Sequence, residues 1–363
     1  MEKRTIFRAA MALLAAFALG LKPPPSGKPV APTPEEAAAR DAALRAFGGK
    51  IVWSSNRAGS HDIWILDGPG KEPRRLTHSA FTDTYPRFSP DGRLVAFSRS
   101  TEPWVSQRNF EKWDTWVVDV ETGRERHVAT NAYQACWNLD DYGITNIVLV
   151  RNGGKTLETG RFDKTKFELF DILTSGRPPI GDGVFITLPD MPTSQTGVPG
   201  EEILATLRGA QKATVHIWRP LMGEEIRESA GGCQMVWRKR CSSYPLPWLH
   251  AGATNTEEEV VWVDHPGRMK NAFYTFDYSE PDYWKRKRIV LLDAENPWSH
   301  EYFPRFAEGG RWLVYGASQG GHEQDSEDYE IFLWDSANTN TPPARLTFHT
   351  GNDCWPDILA PAK

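Results

Sequence analysis

The sequence has little cysteine and no excess of basic residues, and both shortages exclude classes of protein. Only 4 of its 363 residues are cysteines, and no Cys-x-x-Cys pair occurs, so neither a disulfide framework nor a haem attachment site is expected. The formal net charge is -5 at pH 7. Because binding to nucleic acid or to an anionic membrane requires a basic face, we expect neither kind of partner.

The cysteines themselves are interpreted as structural. Cys136 and Cys354 fall on predicted inner strands and are expected to be buried, small apolar residues. Cys233 and Cys241 are near enough in sequence to close a small loop, and the sequence leaves open whether they are bridged.

Long apolar runs are also scarce. Three basic residues precede an apolar run over residues 9–21, which is too short for a comfortable membrane span. Ala18 and Gly20 are small enough for cleavage after Gly20. The sequence predicts a signal peptide at 1–20 and a periplasmic or secreted protein with no stable membrane span after cleavage. An uncleaved signal anchor is the alternative.

Residues 21–49 are predicted to be a proline-rich linker followed by a short helix. The prolines favour an extended spacer. Residues 33–36 (TPEE) form a capping box, and the alanine-rich stretch to Phe47 predicts a helix that stops at Gly48. Leu44 and Phe47 would pack it against the following domain.

One stretch of sequence occurs twice. Residues 85–100 (YPRFSPDGRLVAFSRS) return as residues 303–318 (FPRFAEGGRWLVYGAS), each reading as a strand, a tight turn and a second strand. Third strands such as DIWILD at 62–67 and fourth strands containing RLT at 75–77 and 345–347 follow the same order. A four-stranded unit with a period of about 40–50 residues predicts a β-propeller.

These repeats resemble a known family. The SPDG turn at 89–92, the DIWILD strand and the RLT strand are similar to the TolB-type propeller repeat. The match is strong at both ends of the chain and degenerate in the middle. The resemblance implies an all-β, TolB-like propeller over residues 50–363. It implies little about function, because propellers host many unrelated activities.

The repeats predict six four-stranded blades, with five or seven as alternatives because the spacing in the middle is irregular. Residues 167–170 are assigned to the third strand of the third blade. Residues 352–359 (NDCWPDIL) match a first strand with no blade after it. We expect this C-terminal strand to pair with the N-terminal blade and close the ring, which removes exposed sheet edges.

A Gly-x-Ser-x-Gly pattern occurs at residues 316–320, but it lacks its structural setting. A nucleophilic serine needs a strand, a strained turn and then a helix, and a polar, non-helical stretch follows here. Ser318 is therefore interpreted as the end of a propeller strand, and no catalytic residue is assigned.

Propeller topology gathers several polar residues at one face, because the connections entering the inner strands and those joining second to third strands share it. The candidate ligand or metal site there consists of Asp83, His300, Glu301, His322 and Asp353. Further residues on the same set of connections are His61, Asp264, His265, Glu323 and Asp325. No cofactor is assigned with certainty; a divalent cation such as Ca²⁺ or Mn²⁺ is the candidate.

Two observations weaken that metal hypothesis. Aspartate and asparagine commonly stabilise tight turns through their own backbone, and neither a His-Glu-x-x-His nor an EF-hand spacing occurs. Oligogalacturonate lyases resemble the pattern in placing a metal in a propeller channel, but no residue can be carried over from them.

The aromatic residues divide into two groups. Trp64, Trp116, Trp218 and Trp334 lie on third strands and are expected to pack between blades. Trp104, Phe110 and Trp113 belong to an unusually long connection over residues 100–114. They are predicted to form a partner surface or a sugar-stacking surface, with folding of the loop onto its own blade as the alternative.

The sequence as a whole predicts an exported, non-enzymatic propeller that binds an envelope or extracellular protein, or a polysaccharide, through its channel-rim face. A metal-assisted polysaccharide lyase or hydrolase at the channel mouth is the alternative. A structural subunit of an envelope or extracellular assembly is the third interpretation. The ligand, the partner and the oligomeric state stay open.

Overall fold

The computed structural model describes residues 27–107, 109–139, 145–151, 156–166, 168–174, the strands between 196 and 289, and residues 297–298, 300–307, 311–321, 323–338 and 340–361. The predicted signal peptide and His322 therefore lie outside the described residues. Across the described ranges, no helix is both long enough and apolar enough to cross a membrane.

The N-terminal helix α1 (Pro34–Phe47) forms where the sequence predicts it. The Thr33 hydroxyl accepts a hydrogen bond from the Glu36 backbone N–H at 3.2 Å, and the Thr33 N–H donates to the Glu36 carboxylate at 2.8 Å. Gly48 ends the helix in the left-handed conformation, with φ of 71°. Leu44 and Phe47 are buried, and Phe47 packs on Trp312, which fixes the helix to the sheets.

The described strands form six four-stranded antiparallel sheets. The sheets comprise β1 (Lys50–Ala58), β2 (Ser60–Leu66) and β3 (Arg74–Arg75); β4 (Asp83–Phe88), β5 (Leu94–Ser100), β6 (Trp113–Asp119) and β7 (Glu125–Ala129); β8 (Ala132–Leu139), β9 (Thr145–Arg151), β10 (Thr156–Asp163) and β11 (Glu168–Thr174); β12 (Thr196–Val198), β13 (Glu202–Arg208), β14 (Ala213–Arg219) and β15 (Gly223–Glu228); β16 (Cys233–Lys239), β17 (Glu259–Asp264), β18 (Ala272–Asp277) and β19 (Lys287–Ile289); β20 (His300–Phe306), β21 (Trp312–Ser318), β22 (Tyr329–Asp335) and β23 (Ala344–Arg345); and β24 (Asp353–Leu359), which completes the first sheet.

The last strand of the chain lies beside the first. β24 pairs antiparallel with β1, with Ile358 opposite Ile51 and Asp353 opposite Ser55. The first sheet is therefore made from both ends of the chain, so its stability depends on long-range contacts.

One strand assignment in the third sheet is wrong. The segment predicted as the third strand belongs to β11, which is the fourth, and β10 occupies the third position. The sequence of β10, TLETGRFD, has no regular apolar alternation and contains Gly160, so strand propensity does not reveal it. Its place in the sheet comes from pairing with β9 over residues 156–161.

The first strands of four sheets carry the same bulge. Tyr85, Gln134, Phe303 and Trp355 have positive φ values between 50° and 59°, at points where the ladder to the second strand shifts register. A left-handed conformation costs a non-glycine residue about 1–3 kcal/mol. Aromatic packing offsets this cost: ring centroids are 4.9 Å apart for Tyr85 and Trp355, and 5.8 Å apart for Phe303 and Trp355. The bulges thus direct aromatic rings to the place where the first strands meet.

Candidate functional site

The candidate rim residues that the structure describes are buried. Asp83 and Asp353 are fully buried, and Glu301 and His300 expose only 2% and 8% of their surfaces. A carboxylate removed from water to this degree requires a partner. The partners show what the residues do.

Asp83, the first residue of β4, is held by a buried arginine. Nε and Nη2 of Arg99 each lie 2.7 Å from one carboxylate oxygen of Asp83, and Nη1 lies 2.7 Å from Glu125. The bidentate geometry is the strongest that an arginine offers a carboxylate. Burial raises the pKa of Asp83, while the Arg99 guanidinium opposes that rise.

A second carboxylate, from the neighbouring sheet, lies close to Asp83. Asp62 on β2 bonds Arg75 at 2.6 Å and accepts from the Ser79 backbone N–H at 3.0 Å. Burial and the negative charge of Asp83 raise the pKa of Asp62 to about 7. We call Asp62, Arg75, Asp83 and Arg99 the first junction, because an ion pair of the first sheet lies there beside an ion pair of the second.

The same arrangement occurs where the last sheet lies beside the first. Glu330 on β22 bonds Arg345 at 2.6 Å and accepts from the His349 backbone N–H at 2.6 Å. Asp353 on β24 bonds Arg57 at 2.6 Å. Burial and the charge of Asp353 raise the pKa of Glu330 to about 8. Glu330, Arg345, Asp353 and Arg57 form the second junction.

Among the described residues, the candidate metal ligands do not form one cluster. Asp83 and Asp353 belong to different junctions, and each is bound by an arginine. Glu301 lies near Tyr315, whose pKa rises through burial and the charge of Glu301. Within the ranges that the structure describes, no three His, Cys, Asp or Glu side chains form a group able to hold a metal ion.

His61, one of the wider set of rim residues, is also part of the packing. Its Nδ1 lies 2.9 Å from the Ser54 hydroxyl, which donates to the Asp83 carbonyl oxygen at 2.6 Å. Since the Ser54 proton is used in that bond, His61 Nδ1 is the donor to Ser54. Burial lowers the pKa of His61 to about 3, so the imidazole is neutral at ordinary pH.

The long connection between β5 and β6 folds across the meeting point of the first strands. We call residues 101–112 the strap, of which 108 lies outside the described residues. The carboxylate of Asp325 accepts from the Ser106 hydroxyl at 2.5 Å and from the Gln107 backbone N–H at 3.1 Å. The Tyr133 hydroxyl donates to the Gln107 carbonyl oxygen at 3.0 Å. The strap therefore runs from the second sheet to the connection that follows β21.

The structure divides the predicted aromatic surface. Trp113 is fully buried: its indole N–H donates to the Asn109 carbonyl oxygen at 2.6 Å, and its ring lies 5.1 Å from Tyr133. This residue anchors the strap and is not available to a partner, in contrast to the prediction. Phe110 also contacts Tyr133, at 5.5 Å, but remains partly exposed, as does Trp104.

The arginines that bind the carboxylates of the two junctions were not predicted from the sequence. A signal was present for two of them, since Arg75 and Arg345 occupy the same position in the two RLT strands. Both donate through Nε to the carbonyl oxygen of the threonine two residues later, at 2.8 Å. Repeated arginine beside repeated acid is a pattern that could have indicated the ion pairs.

Comparisons with known proteins support the fold that the repeats predict. No family model matches the chain. A curated relative, the protein TolB homolog of Chlorobaculum tepidum, is 29% identical over 90 residues, which are 25% of this chain and 18% of the relative. The crystal structure of TolB from Acinetobacter baumannii superposes with a TM-score of 0.54 at 14% identity, covering 87% of this chain and 67% of that one. The chain therefore has a TolB-like β-propeller fold.

Proposed function

We propose that the chain is an exported β-propeller that binds an envelope or extracellular partner, a protein or a polymer, through the face covered by the strap. The partly exposed rings of Trp104 and Phe110 on the strap carry this proposal. They lie beside an ion pair of Glu102 and Lys112, whose side chains remain 45% and 44% exposed. Aromatic residues with a charged surround are the composition typical of partner-binding surfaces.

The architecture behind this proposal is a closed ring. We propose that residues 1–20 are a cleaved signal peptide, that 21–49 are a linker and helix, and that 50–363 form six blades. The pairing of β24 with β1 and the contacts of β24 with β4 and β20 support closure. In a closed ring the strap would cover one end of the central channel.

The engagement of the rim carboxylates favours binding over metal-assisted catalysis. A carboxylate bound by arginine is poorly placed to coordinate a cation, because the arginine already balances its negative charge. The strap adds a second obstacle, since Gln107 is buried above Tyr85 and accepts from the Tyr85 hydroxyl at 3.2 Å.

Site-specific photocrosslinking in cells that produce the full chain tests the proposal. A benzophenone amino acid at position 104 is compared with one at Thr122, an exposed residue of the β6–β7 turn. We expect a discrete adduct from position 104 and none from position 122. Equal labelling at both positions, or labelling at neither, would exclude the strap as the binding face.

Metal analysis tests the alternative. The mature protein, purified without affinity metals, is assayed for divalent ions, and its Tm is measured before and after chelation. A stoichiometric ion whose removal lowers the Tm would favour a metal-assisted lyase or hydrolase over the binding protein.

A further inference from the structure

A cavity of about 240 Å³ lies between helix α1, the first sheet and the sixth sheet, on elements other than the strap. Six buried apolar residues line it, and all six belong to one cluster of the core: Leu44, Ile51, Trp53, Leu66, Ile331 and Leu346. An apolar cavity of about 150 Å³ can hold a benzene molecule. This cavity therefore has room for a branched aliphatic or an aromatic side group.

The elements around the cavity are fixed by contacts of their own. Helix α1 is held by Phe47, whose ring lies 5.6 Å from that of Trp312. The connection between β2 and β3 is held at its start by Asp67, whose carboxylate lies 2.7 Å from Nζ of Lys50 and 3.4 Å from Nη2 of Arg74. The cavity is thus formed before any ligand binds, as is usual for small-molecule sites.

Four charged residues also line the cavity, two of each sign. Arg40 and Asp41 on α1 bind each other, with Nε 3.0 Å from a carboxylate oxygen. Lys71 and Glu72, on the connection between β2 and β3, are exposed and form no ion pair with any residue that the structure describes. Since Asp67 is already paired with its neighbouring cations, one positive and one negative charge remain uncompensated beside the apolar space.

We propose that this cavity binds a small zwitterion with an apolar side group, namely a free α-amino acid such as leucine or phenylalanine. The side group fills the apolar space. The Lys71 ammonium binds the carboxylate of the ligand, and the Glu72 carboxylate binds its ammonium group. Opposite charges on adjacent residues complement a ligand that carries both charges on one carbon atom, and an apolar space with a few polar groups is typical of small-molecule sites. This proposal is independent of the partner-binding function.

The test uses the full mature chain, with isothermal titration calorimetry and Tm as the readouts. L-Leucine and L-phenylalanine are titrated separately. Three further probes each lack one part of the proposed ligand: L-leucinamide lacks the carboxylate, N-acetyl-L-leucine lacks the ammonium group, and L-serine lacks the apolar side group.

The variants change the charges and the space one at a time. Lys71→Gln and Glu72→Gln remove the two charges, and both residues are exposed, so the fold should be retained. Lys166→Gln and Glu121→Gln are the matched controls, because these residues are exposed and lie outside the cavity. Leu44→Phe places a larger side chain in the wall of the cavity.

We expect leucine, phenylalanine or both to bind and to raise the Tm, and serine to do neither. Affinity should fall by about threefold to tenfold in each charge variant, and by a similar factor for leucinamide and for N-acetylleucine, because contacts of exposed charges are weaker than those of buried ones. The two control variants should bind as wild type does, and a folded Leu44→Phe variant should not bind.

Several results would overturn the proposal. The first is no binding of either amino acid, and the second is equal affinity for leucine and for either analogue that lacks a charge. Unchanged affinity in Lys71→Gln or in Glu72→Gln would show that the ligand is not held as a zwitterion. Undiminished binding by a folded Leu44→Phe variant would place the ligand outside this cavity.

Discussion

The first and second junctions each contain two carboxylates and two arginines, but one arginine of each comes from a different place. Arg99 lies on the rung directly opposite Asp83 and binds it with both arms of the fork. Ser55 is the residue opposite Asp353, so Arg57, two residues further along β1, reaches back with a single 2.6 Å bond. The fold thus keeps the positions of the acids, while a compensating charge can come from any site within reach.

The second acidic residue of each junction differs as well. The first junction uses Asp62 and the second uses the longer Glu330, yet both accept from an RLT-strand arginine and from a backbone N–H two residues after the threonine. The pKa of each is raised, to about 7 and about 8 respectively, by burial and by a neighbouring aspartate. Each junction therefore contains one carboxyl group that is partly protonated near physiological pH.

The largest expected loss of stability comes from removing Asp83, which the Arg99 guanidinium binds through two nitrogens. Asp83→Ala leaves Arg99 buried with only Glu125 as a charged partner, and we expect the free energy of unfolding to fall by about 3–5 kcal/mol. Asp353→Ala should cost less, because the Arg57 side chain is 19% exposed against 11% for Arg99. Urea denaturation of both variants measures the difference.

A surface pair provides the control for that comparison. Asp335→Ala removes the partner of Arg311, whose side chain is 57% exposed, and should change stability by less than about 1 kcal/mol. If Asp353→Ala were more destabilising than Asp83→Ala, bidentate binding would not be what distinguishes the junctions.

The next effect is a dependence of stability on pH. Because the folded-state pKa of Asp62 and Glu330 lies above the unfolded value, their contribution is full below about pH 4 and is lost as the pH rises through the folded value. A tenfold difference in proton affinity between the folded and unfolded states corresponds to about 1.4 kcal/mol of stability. Asp62→Asn and Glu330→Gln each remove one titrating carboxyl group, so each variant should lose less stability than wild type as the pH rises.

Unfolding curves between about pH 4 and pH 9 separate the two junctions. The stability difference between wild type and Asp62→Asn should level off near pH 7, and that for Glu330→Gln near pH 8. His61 acts in the opposite direction, since its lowered pKa removes stability as the pH falls below about 6.5. His61 is unchanged in both variants, so its effect cancels in the differences. Parallel curves for wild type and both variants would contradict the assignment.

A smaller effect concerns the strap, which begins and ends in the second sheet and contacts Asp325 in the connection that follows β21. Asp325→Ala removes the acceptor for Ser106 and for the Gln107 N–H, and the strap should be destabilised locally by about 1–2 kcal/mol. Hydrogen exchange should quicken at residues 101–112 and stay unchanged in β5 and β6. Ser106→Ala, which removes one of the two bonds, is the matched control and should give a weaker effect. Unaltered exchange in Asp325→Ala would mean that Trp113 and the tyrosine hydrogen bonds to Gln107 are sufficient to hold the strap.

The sequence predicts the repeated parts of this structure well and their partners poorly. Helix α1, with its cap at Thr33, and the paired hairpins follow from local patterns, because turn chemistry and alternation are encoded within a few residues. The packing of Trp113 on Tyr133 and the binding of Asp353 by Arg57 depend on where separate segments meet, which no local pattern specifies. Asp83 and Asp353 are the first residues of β4 and β24, and their role as ion-pair partners was not apparent from the sequence.

The smallest effect tests whether helix α1 supports the second junction. α1 packs on β22 and β23, and the Glu36 carboxylate lies 3.7 Å from Nη1 of Arg345. Glu36→Gln keeps the acceptor that a capping box requires but removes the charge beside Arg345. Since Glu36 is 38% exposed, we expect a loss below about 1 kcal/mol. Thr33→Ala, which removes the cap and leaves the charge, should cost about 1 kcal/mol.

The effects of Glu36→Gln and Thr33→Ala can be distinguished by combining each substitution with Glu330→Gln. The effect of Glu36→Gln should change in that background because it shares Arg345 with Glu330, whereas Thr33→Ala should be additive. Additivity of both would show that the helix stabilises the sheets by packing alone.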